Sequence, residues 1–176
     1  EDMEYAKAMG MSIKLLATSR KLSEDSYYAV VAPFLVGKNN PLYSVNDVYN
    51  GIFVHGNVLG DAMFYGSGAG KLPTASAVVA DVVDEAKHLH ENMPNEWTNQ
   101  PLPLADPDQV SGRFFVRVQT TDLSLIRSAF GTIEQIQVPK AEGETGFVTA
   151  QMTLGQYKAK AAEIKAEILS MIRIKD

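Results

Sequence analysis

Hydrophobic residues follow two different spacings in the first hundred positions of the chain, one typical of strands and one typical of helices. Runs rich in β-branched and aromatic residues indicate strands, and a later apolar stripe indicates an amphipathic helix. We predict a helix over 2–9, strands over 12–22, 26–36, 50–58 and 60–66, one helical turn over 46–48, and a helix over about 74–92. The apolar stripe of that last helix consists of Ala75, Val78, Val79, Val82, Ala86 and Leu89.

A second unit follows a stretch without periodicity. Residues 93–112 contain four of the eight prolines of the chain and form either a linker or an ordered wrapping segment. Beyond them we predict strands over 113–120, 132–139 and 147–153, helices over 124–131 and 154–171, a turn over 141–146 and a final strand over 172–176. The buried side of the second helix consists of Tyr157, Ala161, Ile164, Ile168 and Met171. The order βαββαβ is that of a ferredoxin-like split βαβ unit, and at about 65 residues we expect it to gain stability by pairing with another copy.

Composition excludes several classes of function. The 176 residues contain no cysteine, which rules out disulfides, thiolate catalysis and cysteine-ligated metal sites and fits a reducing compartment. The net charge of −5 leaves no basic surface for nucleic acid, and no apolar stretch is long enough to cross a bilayer. The chain starts at Glu1, inside a predicted helix and without a signal-peptide pattern, so we expect it to be part of a longer protein.

The stretch FYGSGAGKLPTASAVVADVVDEA places three glycines in five positions ahead of a helix. They are Gly66, Gly68 and Gly70. The stretch does not match a phosphate-binding P-loop, because Tyr65 stands in the place of the first glycine and Leu72 in the place of the serine or threonine. It does not match the dinucleotide-binding fingerprint G-x-G-x-x-G either, because its glycines have a different spacing. Two interpretations stay open: bare backbone at a helix N-terminus, capped by Thr74, that favours an anionic or polar ligand, or a tight turn that lets strand and helix pack closely.

The remaining polar side chains assemble no catalytic or metal site. His88 and His90 are two positions apart on a helix, so their side chains diverge and cannot share a metal ion. His55 lies alone in a strand, and Asp81 and Asp84 lie on the outer face of the helix. No serine–histidine–acid set can be assembled. The residues by themselves therefore predict an α+β protein with a glycine loop that binds a ligand or packs.

Four blocks of sequence carry a resemblance to one enzyme family. They are YAKAMGMSIKLLA (5–17), VVAPFLV (30–36), PLYSVNDVYNGIFVHG (41–56) and YGSGAGKLPTASAVVADVVD (65–84). In order and with few gaps, they resemble the carboxy-terminal part of bacterial homoserine dehydrogenases, and the G-x-G-A-G-x-x-P-T-A-S-A-V-V-x-D block is the most specific. The resemblance implies an oxidoreductase that interconverts aspartate semialdehyde and homoserine with NADP or NAD, in threonine and methionine biosynthesis.

The resemblance also implies where the chemistry lies. In the family an amino-terminal Rossmann domain holds the cofactor, and the catalytic lysine, the substrate-binding acids and a sodium-binding loop lie upstream of the helix that begins this chain. Lys14 belongs to an I-K-L-L strand, which is not the lysine motif of the family. The resemblance therefore implies no catalytic residue and no metal ligand here. It implies one cofactor contact, by the main chain at Gly70, with Gly68 and Ala69 as its neighbours, and we expect the chain alone to be inactive.

Residues 113–176 occupy the place where many of these enzymes carry an ACT domain, a ferredoxin-like regulatory module that binds an amino acid such as threonine. The usual signature is an aspartate, a proline and then glycine-valine at the head of the first helix. The segment TDLSL, residues 121–125, keeps only Asp122. Two interpretations stay open: a degenerate ACT domain that helps subunits associate, and a working threonine sensor.

Taken together, we predict an α+β fold in three parts. Residues 1–93 form an antiparallel or mixed sheet with helices, the remainder of a catalytic and dimerisation domain; 94–112 form a linker; and 113–176 form a ferredoxin-like βαββαβ domain of the ACT type. We expect a cytoplasmic homo-oligomer, a dimer through the strand meander, because an antiparallel sheet with one apolar face needs a cover. A small-molecule substrate in the full enzyme and an effector such as threonine are the expected ligands, without nucleic acid or membrane. The alternative is a free-standing amino-acid-binding or oligomerisation module without catalysis.

Overall fold

The computed structural model describes residues 1–91, 97–139 and 141–175. Helices and strands both occur throughout these ranges. The helices are α1 (Asp2–Ala8), α2 (Lys71–Lys87), α3 (Leu123–Phe130) and α4 (Leu154–Glu163). The strands are β1 (Met11–Ser23), β2 (Ser26–Gly37), β3 (Tyr49–Gly56), β4 (Gly60–Ser67), β5 (Ser111–Gly112), β6 (Phe114–Val118), β7 (Ile133–Ile136), β8 (Thr145–Thr149), β9 (Met152–Thr153) and β10 (Ile168–Lys175). Within the described part of the chain, no helix is both long and apolar enough to cross a membrane.

The predicted fold class, α+β with antiparallel and mixed pairing, is confirmed. The largest boundary error concerns the helix predicted over 154–171. It ends at Glu163, and residues 168–171, its predicted last turn, belong instead to strand β10. Ile168 and Met171 still pack against the same apolar cluster as the helix, but from the strand. Over these residues β10 pairs with β6, and the backbone hydrogen bonds of that pairing outweigh the helical preference of the local sequence.

Three smaller boundaries also differ from the predictions. The helical turn predicted over 46–48 is wrong, and a 3₁₀ turn occupies Pro41–Ser44 instead. A proline at the first position favours that turn because its ring fixes φ near the helical value. The helix predicted over 74–92 is α2, which begins earlier, at Lys71 after the N-cap Gly70, and ends earlier, at Lys87. The strand predicted over 147–153 is divided between β8 and β9.

Six strands form one mixed sheet in the order β1-β2-β10-β6-β8-β7. Within it the pairs β10–β6, β6–β8 and β8–β7 are antiparallel, the arrangement expected of a ferredoxin-like βαββαβ unit. The β1–β2 hairpin extends this sheet because β2 pairs in parallel with β10. That pairing runs from Phe34 opposite Arg173 to Val36 opposite Lys175. Strands from both ends of the chain therefore share one sheet.

The chain divides into two compact units, residues 1–43 with 101–176, and residues 44–100. The first unit contains the six-stranded sheet, and the second contains the β3–β4 hairpin and α2. These units do not coincide with the three ranges predicted from the sequence. Those ranges stay a prediction about domains, since two domains can share one continuous sheet.

The segment ahead of β6 is ordered and runs along the first unit. The Tyr27 N–H donates to the carbonyl oxygen of Pro103 at 2.9 Å, and the Ala105 N–H donates to the carbonyl oxygen of Tyr27 at 2.7 Å. Farther on, β5 pairs with β9. Of the two interpretations of this proline-rich stretch, an ordered wrapping segment describes residues 101–112, whereas 92–96 lie outside the described residues.

Helices cover both faces of the six-stranded sheet where its central strands β6 and β8 lie. The cluster beneath α3 and α4 consists of Phe114, Val116, Val118, Ile126, Ala129, Phe130, Phe147, Met152, Leu154, Tyr157 and Ile164. The cluster beneath α1 consists of Tyr5, Ala6, Leu35, Phe115, Val148, Ile172 and Ile174. Successive side chains of a strand point to opposite faces, so a strand with cover on both sides is buried at every position, as β6 is.

Helix α1 is anchored to the sheet by the ring of Tyr5. The ring packs against Phe115, with 5.3 Å between ring centroids. It also covers Gly146, where a Cβ atom would overlap the Tyr5 ring. A glycine at this position of β8 is therefore required by the close approach of an aromatic ring rather than by backbone conformation.

An ionic cluster at Arg117 fixes the same helix. Its Nε and Nη2 donate to the two carboxylate oxygens of Glu144 at 3.1 and 3.0 Å, and its Nη1 donates to Asp2 at 2.7 Å. The side chains of Arg117 and Glu144 are each 9% exposed. Ser170 donates its hydroxyl to the same Asp2 oxygen at 2.7 Å. Because bidentate pairs of this kind are geometrically specific, the cluster sets the orientation of α1 on the sheet.

Substitution of Gly146 by alanine tests the approach of Tyr5. The new Cβ would overlap the ring, so we expect the free energy of unfolding to fall by about 1–3 kcal/mol, as for other overpacked sites. Chemical denaturation measures this value. Gly112→Ala is the matched control, because a Cβ there meets no described atom within 4 Å. Equal stability of the two variants would contradict the proposed contact.

The pH dependence of stability tests the environment of Tyr5. Burial, followed by the negative charge of Glu144, raises the pKa of Tyr5 to about 12, whereas an unfolded tyrosine has a pKa of about 10. The unfolded chain therefore releases this proton first, and the stabilising contribution present below pH 10 is lost as the pH rises toward 12. We expect Tyr5→Phe to lack this loss. The other titrating groups are common to both proteins. Parallel profiles of the free energy of unfolding between pH 9 and 12 would therefore contradict the raised pKa of Tyr5.

Candidate functional site

The β3–β4 hairpin leads directly into the glycine stretch. Its two strands pair in antiparallel register without a bulge. One face presents exposed apolar side chains, among them Ile52, Val54 and Phe64. On the other face the rings of Tyr49 and Tyr65 stack, with 5.0 Å between their centroids. This stacked pair lies at the end of the hairpin from which the glycine stretch continues.

Gly70 begins helix α2 in a conformation that favours glycine. It is the N-cap, with φ 121° and ψ 155°, a region that residues with a Cβ rarely adopt. Its carbonyl oxygen accepts the Thr74 N–H at 3.1 Å. Thr74 therefore lies inside the first turn, and the prediction that it caps the helix is wrong. Glycine has no side chain to satisfy the first N–H groups of the helix, so these groups stay available to a ligand.

The other glycines of the stretch are placed for different reasons. A Cβ at Gly68 would lie 2.5 Å from Nδ2 of Asn50, which is too close for the two atoms to coexist without movement of the Asn50 side chain. A Cβ at Gly66 would meet no described atom within 4 Å. Ala69 lies between the two constrained glycines, and Gly68, Ala69 and Gly70 are all exposed. The structure thus constrains two of the three glycines and leaves Gly66 unconstrained.

Helix α2 carries the predicted apolar stripe and leaves it uncovered. None of its described residues is buried, and Val78, Val79 and Val82 are 56%, 61% and 62% exposed. A tight turn that served to pack this helix closely on a strand would bury part of that stripe. The interpretation of the glycines as a packing device therefore gains no support from the described residues.

The exposed segment 68–70 has the features needed for a main-chain contact with a ligand. Its backbone is accessible, Gly70 presents no Cβ, and the adjoining helix N-terminus carries a partial positive charge. It offers neither a general acid nor a general base. The segment can position a ligand but cannot by itself transfer a proton.

Two of the three histidines have a local partner, and the prediction that His88 and His90 lie on a helix is wrong, since α2 ends at Lys87. Nδ1 of His55 lies 2.5 Å from a carboxylate oxygen of Asp61, its partner in the β3–β4 register. Nδ1 of His88 lies 2.9 Å from the carbonyl oxygen of Asp84, one turn earlier in α2. Residues 1–91, 97–139 and 141–175 contain no group of three or more His, Asp or Glu side chains that could hold a metal ion.

Asp122, which remains from the ACT signature, caps helix α3. Its Oδ1 accepts the backbone N–H groups of Ser124 at 2.9 Å and Leu125 at 3.2 Å. An aspartate in this position satisfies two of the N–H groups that a helix start leaves without partners. Its presence in the sequence is thus explained by helix capping.

Sequence reasoning missed a group of cationic side chains on the six-stranded sheet. Arg20, Arg113, Arg173 and Lys175 line one cavity of about 200 Å³. They come from β1, the residue before β6, and β10, which are far apart in the sequence. The alternation of Arg173 and Lys175 along a strand was a weak signal, but no sequence pattern revealed which strands pair.

Comparison with known proteins places this geometry in a family. Residues 1–83 match the family model for homoserine dehydrogenase. Homoserine dehydrogenase from Synechocystis is 34% identical over 200 residues, covering 98% of this chain and 46% of the relative. The enzyme from Lactococcus lactis is 31% identical over 181 residues, covering 95% of this chain and 42% of the relative. Among solved structures, homoserine dehydrogenase from Thiobacillus denitrificans aligns with a TM-score of 0.79 and 25% identity, over 99% of this chain and 45% of that one.

The similarity extends over nearly the whole chain but over only part of each relative. The chain spans less than half the length of these proteins. The family model covers the α1–β4 region, the glycine stretch and most of α2, and the curated relatives extend the match through the ferredoxin-like unit. This chain belongs to the homoserine dehydrogenase family.

Proposed function

We propose that the chain is the carboxy-terminal part of a homoserine dehydrogenase, an enzyme that interconverts L-aspartate 4-semialdehyde and L-homoserine with NADP or NAD. The family match over residues 1–83 carries this proposal. Relatives of that name support it, because they align with 95% and 98% of the chain. Since the chain spans 42% and 46% of those relatives, it supplies part of the enzyme, and the remainder supplies the catalytic groups.

The contribution of this chain to the cofactor site is main-chain contact at Gly70, with Gly68 and Ala69 beside it. Three observations support this assignment: the positive φ of Gly70, the exposed backbone of the segment, and a helix N-terminus without a side-chain cap. A nicotinamide cofactor supplies hydride transfer when it is bound. The role of the Gly68–Gly70 segment is to allow the cofactor to approach closely and to hold its position through backbone atoms.

Proton transfer belongs to residues outside this chain. Active sites concentrate side chains with displaced pKa values. Burial raises the pKa of Tyr5 and of Tyr157, but both tyrosines lie in the cores of the first unit, far in sequence from Gly70. The glycine segment itself offers no titratable catalytic group. A 176-residue chain that binds and positions without catalysing is what this arrangement supports.

The strands of the first half also provide the surface for a homodimer. Leu15 and Val31 lie on one face of the β1–β2 hairpin and are 74% and 69% exposed. Their register partners Pro33 and Ala17 continue the same apolar surface. A second copy that covered this face would bury it, since an antiparallel sheet with one apolar face requires a cover.

The ferredoxin-like unit acts in subunit assembly rather than as a threonine sensor. Its strand order supports an ACT-type domain. Asp122 already accepts two helix N–H groups, and the proline and glycine-valine of the effector signature are absent from residues 121–125. Residues 121–125 therefore offer fewer contacts to an amino acid than the full effector signature does.

Substitution of Gly70 in an active enzyme tests the cofactor contact. A hybrid would join the preceding part of the Lactococcus lactis relative to residues 1–176 of this chain. In that hybrid we expect Gly70→Ala to lower kcat/KM for the nicotinamide cofactor at least tenfold. The new Cβ would hinder the approach of the cofactor to the main chain, and the positive φ of this position is unfavourable for alanine. Steady-state kinetics measures the change, and the 176-residue chain alone should show no homoserine oxidation.

Two glycine variants separate cofactor contact from backbone strain. Gly66→Ala places a methyl group in open space of the same stretch, and Gly60→Ala introduces the strain of a positive φ, 76°, at the first residue of β4. Both hybrids should keep kcat/KM within about threefold of the parent. Unchanged cofactor kinetics in folded Gly70→Ala, or equal losses in all three variants, would refute the assignment.

Calorimetry with threonine tests the role of the ferredoxin-like unit. We expect no saturable binding of L-threonine to the 176-residue chain up to millimolar concentration, because the signature loop keeps only Asp122 and that side chain caps α3. L-Isoleucine and L-methionine serve as further ligands. Micromolar binding of L-threonine that is lost in Asp122→Ala, with α3 still folded, would instead make the unit a sensor.

A further inference from the structure

We propose that the cavity lined by Arg20, Arg113, Arg173 and Lys175 binds a small organic anion that has an apolar body and no ammonium group. The cavity has a volume of about 200 Å³, below the roughly 300–1,000 Å³ typical of sites for drug-sized molecules. It lies entirely in the first compact unit. No residue of the glycine segment is among the residues that line it, and its volume suits a ligand of metabolite size.

Aromatic and aliphatic side chains form the inner wall of the cavity. Phe34 and Phe114 are register partners of Arg173 on the two strands that flank β10, so these three residues form one row across the sheet. Tyr28 and Val110 also line the cavity. Phe114, Phe34 and Tyr28 are buried. A ligand that enters the cavity thus meets apolar surface beneath the charged groups, which favours an apolar body.

The charged lining is of one sign. No Asp or Glu occurs among the described residues that line the cavity. Nor does any described acidic side chain form an ion pair with Arg20, Arg173 or Lys175. Like charges brought together at a half-enclosed site repel one another, and a bound anion relieves this repulsion. The cavity therefore has a preference for negatively charged ligands.

Two of the arginines are held in position by aromatic rings. The guanidinium carbon of Arg20 lies 5.6 Å from the ring centroid of Tyr28, its partner in the β1–β2 register. That of Arg173 lies 5.6 Å from the ring centroid of Phe114, its partner in the β6–β10 register. Stacking engages the face of a guanidinium and leaves its N–H edge available for a carboxylate or phosphate. The two groups are thus oriented before a ligand arrives.

The same charges argue against a free amino acid as the ligand. An amino acid carries an ammonium group beside its carboxylate, and this group would be brought near Arg20, Arg173 and Lys175, with no Asp or Glu among the described residues of the lining. A phosphate monoester or a carboxylate without an amino group avoids that penalty. The cavity is accordingly a different kind of site from an amino-acid effector site, and it does not depend on the proposed dehydrogenase activity.

Titration calorimetry of the 176-residue chain with phenyl phosphate tests the proposal. Phenyl phosphate combines an apolar ring with a phosphate dianion, whereas inorganic phosphate lacks the ring and L-phenylalanine carries the ammonium group. We expect saturable binding of one phenyl phosphate per chain, at least tenfold tighter than either comparison ligand. All titrations are carried out at the same chloride concentration and the same ionic strength, so that charge screening is equal in each of them.

Variants of single arginines locate the binding. Arg173→Gln should weaken phenyl phosphate binding at least tenfold, and Arg20→Gln, at an exposed position outside the core, should do so without risk to the fold. Arg127→Gln makes the same charge change on the exposed side of α3 and should leave the affinity unchanged. Three results would overturn the proposal: no saturable binding, equal affinity for inorganic phosphate or L-phenylalanine, or equal losses in the Arg20, Arg173 and Arg127 variants.

Discussion

The parallel pairing of β2 with β10 joins the two ends of the sequence, and most of the first unit depends on it. Three residue pairs, from Phe34–Arg173 to Val36–Lys175, extend the ferredoxin-like strands with the β1–β2 hairpin. The extended sheet presents a second apolar face, on which α1 docks through Tyr5. A helix as short as α1 is not stable in isolation, so its structure requires this sheet beneath it.

The docking of α1 shows how a charged residue becomes part of a core. Arg117 occupies an alternate position of β6, on the face that α1 covers, and is paired with Glu144 and Asp2. A buried ion pair contributes little net stability, but loss of one partner is costly because a charge is left without compensation. The cluster therefore contributes orientation of α1 more than overall stability. The same sheet positions Arg173 against Phe114 on its opposite face.

Local sequence patterns predicted most elements, and tertiary pairing caused the main errors. Alternation and β-branched content identified β1 to β4, and the βαββαβ order identified the ferredoxin-like unit. The predicted end of α4 was wrong because residues 168–171 have good helix propensity but pair with β6 as part of β10. The prediction that Thr74 is the N-cap was wrong because the start of the helix depends on the backbone angles of Gly70. The capping preferences of residue types do not reveal those angles.

The sequence alone determined the class of the protein and the segment that carries its distinctive motif. A glycine run ahead of an amphipathic helix is a local property, since positive φ and the absence of a Cβ act within a few residues. Only the tertiary structure decided that Tyr5 requires Gly146, that Arg117 is buried in an ionic cluster, and that four cations from β1, the start of β6 and β10 line one cavity. These features depend on the register between strands distant in sequence, and register is set by the sum of many side-chain contacts rather than by any short pattern.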